Sequence, residues 1–321
     1  MTRIETPETP SPTNRKTRAL IAHAPGPGPP RQTTGGEQGI APACYLWWRS
    51  MTDLVATHRA HMPSGTERFL DVRSLADAHR RLADLLRPGM SVLDVGCGTG
   101  AITAGIAQAV QPGGSVVGID VSTELIGRAQ TRSEHQENLS FELADVASLV
   151  RERRRFDVVT AARMLQWLAD PRSALAAMVA AVKPGGMVVV LDYNHRRTSW
   201  EPEPPESVLA FYEAFLEWRA QAGMDNEIAD HLETLFEELG LREVRCTPQP
   251  ELAQRGAADF EVRIALWGQV IETRGHQVVA DGLLSEARRA AAASDFAEWA
   301  SYAARSQTLW LAAVEGVVPG A

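Results

Sequence analysis

The chain has 321 residues, of which 45% are hydrophobic and 22% charged, with a formal net charge of −8. That is the balance of a soluble globular protein of one large or two small domains, and it excludes a broad basic field for gathering nucleic acid. No apolar run reaches the roughly 18 residues of a membrane span, and the N-terminus lacks the apolar core of a secretion signal. Cys44, Cys97 and Cys246 form neither a disulfide framework nor a metal-binding spacing, so a reduced, cytoplasmic protein without a metal is expected.

Residues 1–43 are rich in Pro, Thr and Gly and cannot bury enough apolar surface to offset ordering, so they are expected to be a disordered tail. The folded domain is expected over 44–321, with Met51 as an alternative start. Tyr45-Leu-Trp-Trp48 opens a helix, and Gly65–Leu86 reads as another, stopping at Pro88-Gly89. Val92–Val95 is an apolar, β-branched run of strand length. It leads into Gly96-Cys-Gly-Thr-Gly100, where the glycines allow a sharp turn and a close approach to a ligand, and then into a helical stretch, Ala101–Val110. Ser115–Asp120 is a second strand ending in a carboxylate, 26 residues after Asp94, and Ser140–Asp145 a third that also ends in an acid.

The basic run Arg151-Glu-Arg-Arg-Arg155, ahead of a fourth strand at Phe156–Thr160, reads as a solvated helix end or turn, with a phosphate-binding patch as the alternative. Met164-Leu-Gln-Trp167, Ala169-Asp-Pro171 and Lys183-Pro-Gly-Gly186 follow, and a fifth strand spans Met187–Leu191. Beyond it, Asp192-Tyr-Asn-His195 runs into a polar, proline-rich connection at Trp200–Pro205. Helices are expected at Ser207–Ala222 and Ile228–Leu239, with Gly240 as a stop, then a sixth strand at Leu241–Thr247. Helical segments at 257–273 and 283–304 precede a seventh strand, Thr308–Val317.

This succession resembles the class I S-adenosylmethionine-dependent methyltransferases, and within them the ubiquinone/menaquinone-biosynthesis type and its small-molecule relatives. The resemblance implies a Rossmann-like, doubly wound α/β sheet of seven strands, mostly parallel with the last antiparallel. It makes Asp94, Gly96, Gly98 and Gly100 the first motif, with the loop cradling the methionine part of the cofactor. Asp120 is placed to accept from the ribose hydroxyls, as an acid ending the second strand does in such folds, and the resemblance gives Asp145 the adenine amino group. A nicotinamide-type loop would read G-x-G-x-x-G, but position 101 is Ala. The family usually joins strands six and seven by a direct hairpin. About 60 residues intervene here, and the helices at about 200–225 and 250–305 are expected to form a lid over the sheet with the N-terminal helix.

Methyl transfer from a sulfonium needs placement of the acceptor, exclusion of water and a route for a proton, but no metal and no covalent nucleophile. His195 is the candidate base, set against a structural or solvated histidine. Gln166 stands where family members often carry histidine or another polar residue. Trp167 either walls the cofactor or packs in the core. Arg163 reads as a solvated charge at a strand end, or as a holder of an acidic substrate. The aromatic residues Tyr45, Trp47, Trp48, Phe211, Tyr212, Phe215 and Trp218 read as core, with a flat, apolar substrate as the other possibility. The expected activity is O-, N- or C-methylation of a small organic molecule in quinone or specialised metabolism. A macromolecular methyltransferase and a cofactor-retaining cyclase or binding scaffold remain as alternatives. No nucleic-acid or membrane partner is expected, and the oligomeric state is left open.

Overall fold

A computed structural model describes residues 53–63, 70–151 and 155–320. The tail at 1–43, the aromatic residues Tyr45, Trp47 and Trp48, Met51 and most of the Arg151–Arg155 run lie outside the described residues. The helix expected over Gly65–Leu86 is interrupted. Ser74 caps a short helix α1 (Leu75–Ala78) by accepting from Asp77 N, and His79, at φ −148° and ψ 61°, separates it from α2 (Arg80–Leu85). The His79 side chain is fully buried, with Nε2 3.4 Å from Thr160 Oγ1.

From here the chain alternates strand and helix: β1 (Ser91–Val95), α3 (Ala101–Ala109), β2 (Ser115–Asp120), α4 (Thr123–Arg132), β3 (Leu139–Leu143), β4 (Phe156–Ala162), α5 (Pro171–Ala181) and β5 (Val182–Glu201). The helix starts follow from local chemistry. Ser122 accepts from Leu125 N to cap α4. Asp170 accepts from Ser173 N to cap α5, and Pro171 fills the first helical position, where its missing N–H costs nothing.

The second half supplies α6 (Glu206–Gln221), α7 (Ile228–Glu238), β6 (Arg242–Pro248), β7 (Glu251–Gln254), α8 (Phe260–Ile264), α9 (Leu266–Glu272), α10 (Gly275–Ala280), α11 (Glu286–Glu298) and β8 (Ser306–Val317). The sheet runs β3-β2-β1-β4-β5-β8-β6. β1 to β5 are parallel and β8 is antiparallel to β5 and β6. The expected seven-stranded order is present, with one correction: β7, inside the long insertion, adds an eighth strand by pairing antiparallel with β8 from Glu251↔Leu309 to Gln254↔Ser306.

Alternation along the strands divides the core between the two faces. Val92, Val116, Val158 and Val189 pack with Leu75, Leu82 and Ile106 on one side. Leu93, Val95, Val159, Val188 and Val190 pack with Leu175, Met178, Leu232 and Phe236 on the other. Each such side chain, fully buried, contributes about 1.5–3 kcal/mol.

The largest departure from expectation is β5. Instead of ending at Leu191 it continues to Glu201, because β8 keeps pairing with it beyond a register shift, at Ser199↔Thr308, Trp200↔Gln307 and Glu201↔Ser306. Asp192–His195 and Trp200 therefore lie in a strand. The inserted helices pack around this projecting ribbon, with Phe211, Phe215, Trp218, Trp267 and Phe296 forming one apolar cluster with Tyr193 and Leu311. The helical residues 53–60 dock on the same cluster. Asp281 Oδ2 accepts from Arg59 Nε at 2.9 Å and from Trp218 Nε1 at 2.7 Å, and Arg274 Nη1 donates to Arg59 O at 2.8 Å.

Candidate functional site

In an open α/β sheet, ligands bind beyond the carboxyl ends of the strands, where the strand order reverses. Here that point lies between β1 and β4. The loop leaving β1 is held from below: Gly96 N and Cys97 N both donate to Ile119 O, at 2.8 and 3.0 Å. Gly96 and Gly100 have φ of 71° and 75°, in the left-handed region. Space excludes a side chain at both. A Cβ on Gly96 would stand 2.6 Å from Met164 Cγ, and one on Gly100 would stand 2.5 Å from Phe141 Cζ.

Asp120 braces the loop from the end of β2. Its Oδ2 accepts from Gly98 N at 3.0 Å and its Oδ1 from Ser122 N at 2.9 Å. Burial pushes its pKa up, opposed by these backbone hydrogen bonds. Asp94 is buried and accepts from Thr103 Oγ1 at 2.7 Å, so it ties β1 to α3 beneath the loop. Burial pushes its pKa up to about 7. Asp145 lies two residues past β3 rather than at its end, exposed, with Oδ1 accepting from Ala147 N at 2.8 Å.

A second set of polar groups gathers beyond the end of β4, against the middle of β5. His195 was expected in a loop past the fifth strand, but it is 7% exposed and belongs to β5. Its Nε2 lies 2.7 Å from Gln166 Oε1. Gln166 Nε2 donates to Arg163 O at 3.1 Å, which turns Oε1 toward the ring. The ring hydrogen is then on Nε2, and Nδ1 keeps its lone pair. Burial, reinforced by the Arg219 charge, holds the His195 pKa well below the ordinary histidine value, so the ring is neutral. Tyr193 stacks on it at 5.2 Å between centroids, and Phe215 and Trp267 meet it edge-on at 6.2 and 6.4 Å.

Asp192 supports this arrangement, accepting from Gln166 N at 3.1 Å and from Tyr193 N at 2.9 Å. Burial raises its pKa to about 6. Three residues of the network, Arg219, Asn226 and Arg274, carry no local signal in the sequence that ties them to this site. Arg219 donates to Gln166 O at 2.7 Å and to Asn226 Oδ1 at 2.8 Å, and Asn226 O accepts from His195 N at 2.7 Å. Arg274 lies over the Trp167 ring at 4.0 Å and Arg219 at 4.6 Å, so Trp167 is held between two guanidinium groups.

Arg163 corrects another expectation. It is buried rather than solvated, with φ of 60°. It donates to Tyr193 Oη at 3.2 Å and Ala78 O at 3.0 Å, and it forms an ion pair with Glu251. Phe211, Tyr212, Phe215 and Trp218 are core residues.

Known proteins match both the loop and the strand order around it. A family model described as "Methyltransferase domain" matches residues 86–238. Demethylmenaquinone methyltransferase of Staphylococcus aureus is 32% identical over 177 residues, covering 50% of this chain and 71% of that protein. The chain belongs to the class I S-adenosylmethionine-dependent methyltransferases. Other relatives are covered less fully. Demethylmenaquinone methyltransferase of Lactococcus lactis is 34% identical over 37% of this chain and 48% of its own length. An uncharacterized transposon protein of Streptomyces fradiae is 38% identical over 38% of this chain and 37% of its own. The chain thus spans under half the length of these two relatives. In fold, the YcgJ protein of Bacillus subtilis superposes with a TM-score of 0.50 at 17% identity, over 76% of this chain and all of that one.

Adenosylmethionine, the cofactor of this methyltransferase class, suits the residues present. The loop turns through left-handed conformations at Gly96, Gly98 and Gly100, with Met164 and Phe141 packed against it, and its backbone there is free of side chains of its own. The Asp120 carboxylate has lone pairs left after its bonds to Gly98 N and Ser122 N. No helix among the described residues is long and apolar enough to cross a membrane.

Proposed function

We propose that this protein transfers the methyl group of adenosylmethionine to a small organic molecule. The observation that carries the reading is the adjacency of the two polar sets. Met164 seats against Gly96 of the cofactor loop, and two residues on, Gln166 orients His195. Gly96, Gly98 and Gly100 would carry the methionine part, Asp120 the ribose hydroxyls and Asp145 the adenine amino group, while Asp94 keeps the loop in place.

When bound, the cofactor supplies a methyl group already activated by its sulfonium. What the chain adds is alignment, a dry surrounding and a place for the acceptor's proton. The aromatic rings of Tyr193, Phe215 and Trp267 keep water from the His195 ring. The neutral His195 ring offers its Nδ1 lone pair as the place for the acceptor's proton, against the burial and the Arg219 charge that favour its neutral form. Two observations support a small acceptor: relatives named for quinone biosynthesis and a net charge of −8 that offers nucleic acid no general attraction. The free thiols Cys97 and Cys246 agree with a cytoplasmic setting.

The test uses methyl-labelled adenosylmethionine, the purified protein and a cell extract separated afterwards into small-molecule, protein and nucleic-acid fractions. Label in the small-molecule fraction is expected. Label in protein or RNA would make the protein a macromolecular methyltransferase. Bound cofactor without transfer to any fraction would make it a cyclase or binding scaffold.

A further inference from the structure

Residues 72–78 face β7, α8 and the start of β8 across a cavity of about 240 Å³. Its volume falls below the usual range of ligand pockets, so it has room for a small molecule or for one end of a larger one. Three of its lining residues are large apolar side chains left open to solvent: Val72 at 66%, Leu252 at 49% and Val262 at 57% exposure. Gathered at one opening, they form a patch that gains by being covered.

The charges in the lining are unevenly matched. Glu251 is ion-paired with Arg163, Asp259 with Arg263, and Asp77 accepts from Ser74 Oγ at 2.9 Å. Arg73, half-buried in the same wall, has no hydrogen bond or ion pair from its guanidinium among the described residues. Burial and the neighbouring Arg163 charge disfavour its protonated form, Tyr193 and Glu251 nearby partly offset them, and an arriving anion would add to that offset.

We infer that this cavity binds an apolar molecule bearing a carboxylate, its body against Val72, Leu252 and Val262 and its acid on Arg73. Guanidinium and carboxylate make a planar, two-pronged pair, which lysine does not reproduce. The cavity wall reaches the cofactor loop through two consecutive residues: Arg163 donates to Ala78 O and holds Glu251, and Met164 contacts Gly96. Resting on the methyltransferase reading above, the inference makes this cavity the seat of the methyl acceptor's acid-bearing end, and the carboxylate the handle by which the acceptor is held. His195, which does not line the cavity, would meet the acceptor's other end.

Octanoate serves as the probe, with octanol as its neutral counterpart and calorimetry on the full chain as the readout. Octanoate is expected to bind at one site, octanol at least tenfold more weakly. Arg73→Gln should weaken octanoate at least tenfold, with Arg73→Lys in between. Val262→Glu, at an exposed position where folding is undisturbed, should abolish binding by repulsion. Absence of octanoate binding to the parent, equal binding by Arg73→Gln, or equal binding of octanol would each overturn the inference. Adenosylmethionine binding is measured on the same samples. Its loss alone, with Arg73-dependent octanoate binding intact, would remove the methyltransferase reading and with it the acceptor role, leaving an acid-binding cavity.

Discussion

Gln166 Oε1 lies 2.7 Å from His195 Nε2, although 29 residues separate the two in the chain. Because Arg163 O orients the amide, the basic atom of the imidazole is Nδ1. His195→Ala should lower turnover by roughly 10²–10⁴-fold, the range for a lost general base, and leave affinity for adenosylhomocysteine unchanged. Gln166→Leu should lower turnover less. Steady-state kinetics beside calorimetry separates these outcomes, and equal turnover in His195→Ala and parent would take His195 out of the chemistry.

Asp120 has a double assignment, to the loop through Gly98 N and to the cofactor ribose. Asp120→Ala should weaken adenosylmethionine binding by about 1.5–3 kcal/mol, the range for hydrogen bonds to a charged group. Calorimetry at fixed salt reads this directly, and unchanged affinity would refute the ribose assignment.

Gly100→Ala tests the cradle's geometry. A left-handed alanine costs about 1–2 kcal/mol in backbone alone, and here its Cβ also meets Phe141 and Ala129. Gly113→Ala is the control: its φ is 83°, and the nearest atom to a Cβ there is 4.0 Å away. Urea denaturation should show the larger loss at Gly100, and equal losses would mean that the space above the loop is not restrictive.

The raised pKa of Asp94 has a defined sign. A carboxyl titrating at about 7 when folded and at its ordinary 3.8 when unfolded binds its proton more tightly in the native state. Its contribution to stability is full below pH 3.8 and is lost as pH rises toward 7. Asp94→Asn keeps an acceptor for Thr103 and carries no charge. The melting temperature of Asp94→Asn relative to the parent should therefore climb from pH 4 to pH 7 and then level off. A flat difference across that range would contradict the assignment.

Glu251→Gln leaves the Arg163 guanidinium, whose side chain is 4% exposed, without its carboxylate. Removing one partner of a buried ion pair costs about 3–5 kcal/mol. Chemical denaturation should show a loss of that order, with the pair's contribution absent if stability is unchanged.

Legibility in the sequence followed the range of the interactions. The strand, glycine loop and helix at 91–109 depend on neighbours within a few positions, so their residues announce them. Asp120 ends its strand as expected, while Asp145 falls two residues beyond β3. The surroundings of His195 were hidden because its partners come from elsewhere: Gln166 from the turn after β4, Arg219 from α6 and Asn226 from the turn before α7. The polar stretch 192–201 reads as a loop, and only pairing with β8, more than a hundred residues later, makes it a strand. Arg163 looked solvated because Glu251, its partner 88 residues away, sits in a strand that the insertion concealed.

β8 pairs with β5, β6 and β7 along its twelve residues. None of those three strands pairs with another of the three, so half of the sheet shares a single keystone that is synthesised after everything it joins. A nascent chain can pair β1 to β5 as they emerge, but the ribbon bearing Tyr193 and His195 stays an open edge until residues 306–317 leave the ribosome. Such an edge invites intermolecular pairing, and its closure over so long a loop is intrinsically slow. The interval between making β5 and making β8 is therefore when this protein is most prone to aggregate, and a chaperone that covers strand edges would act on it then.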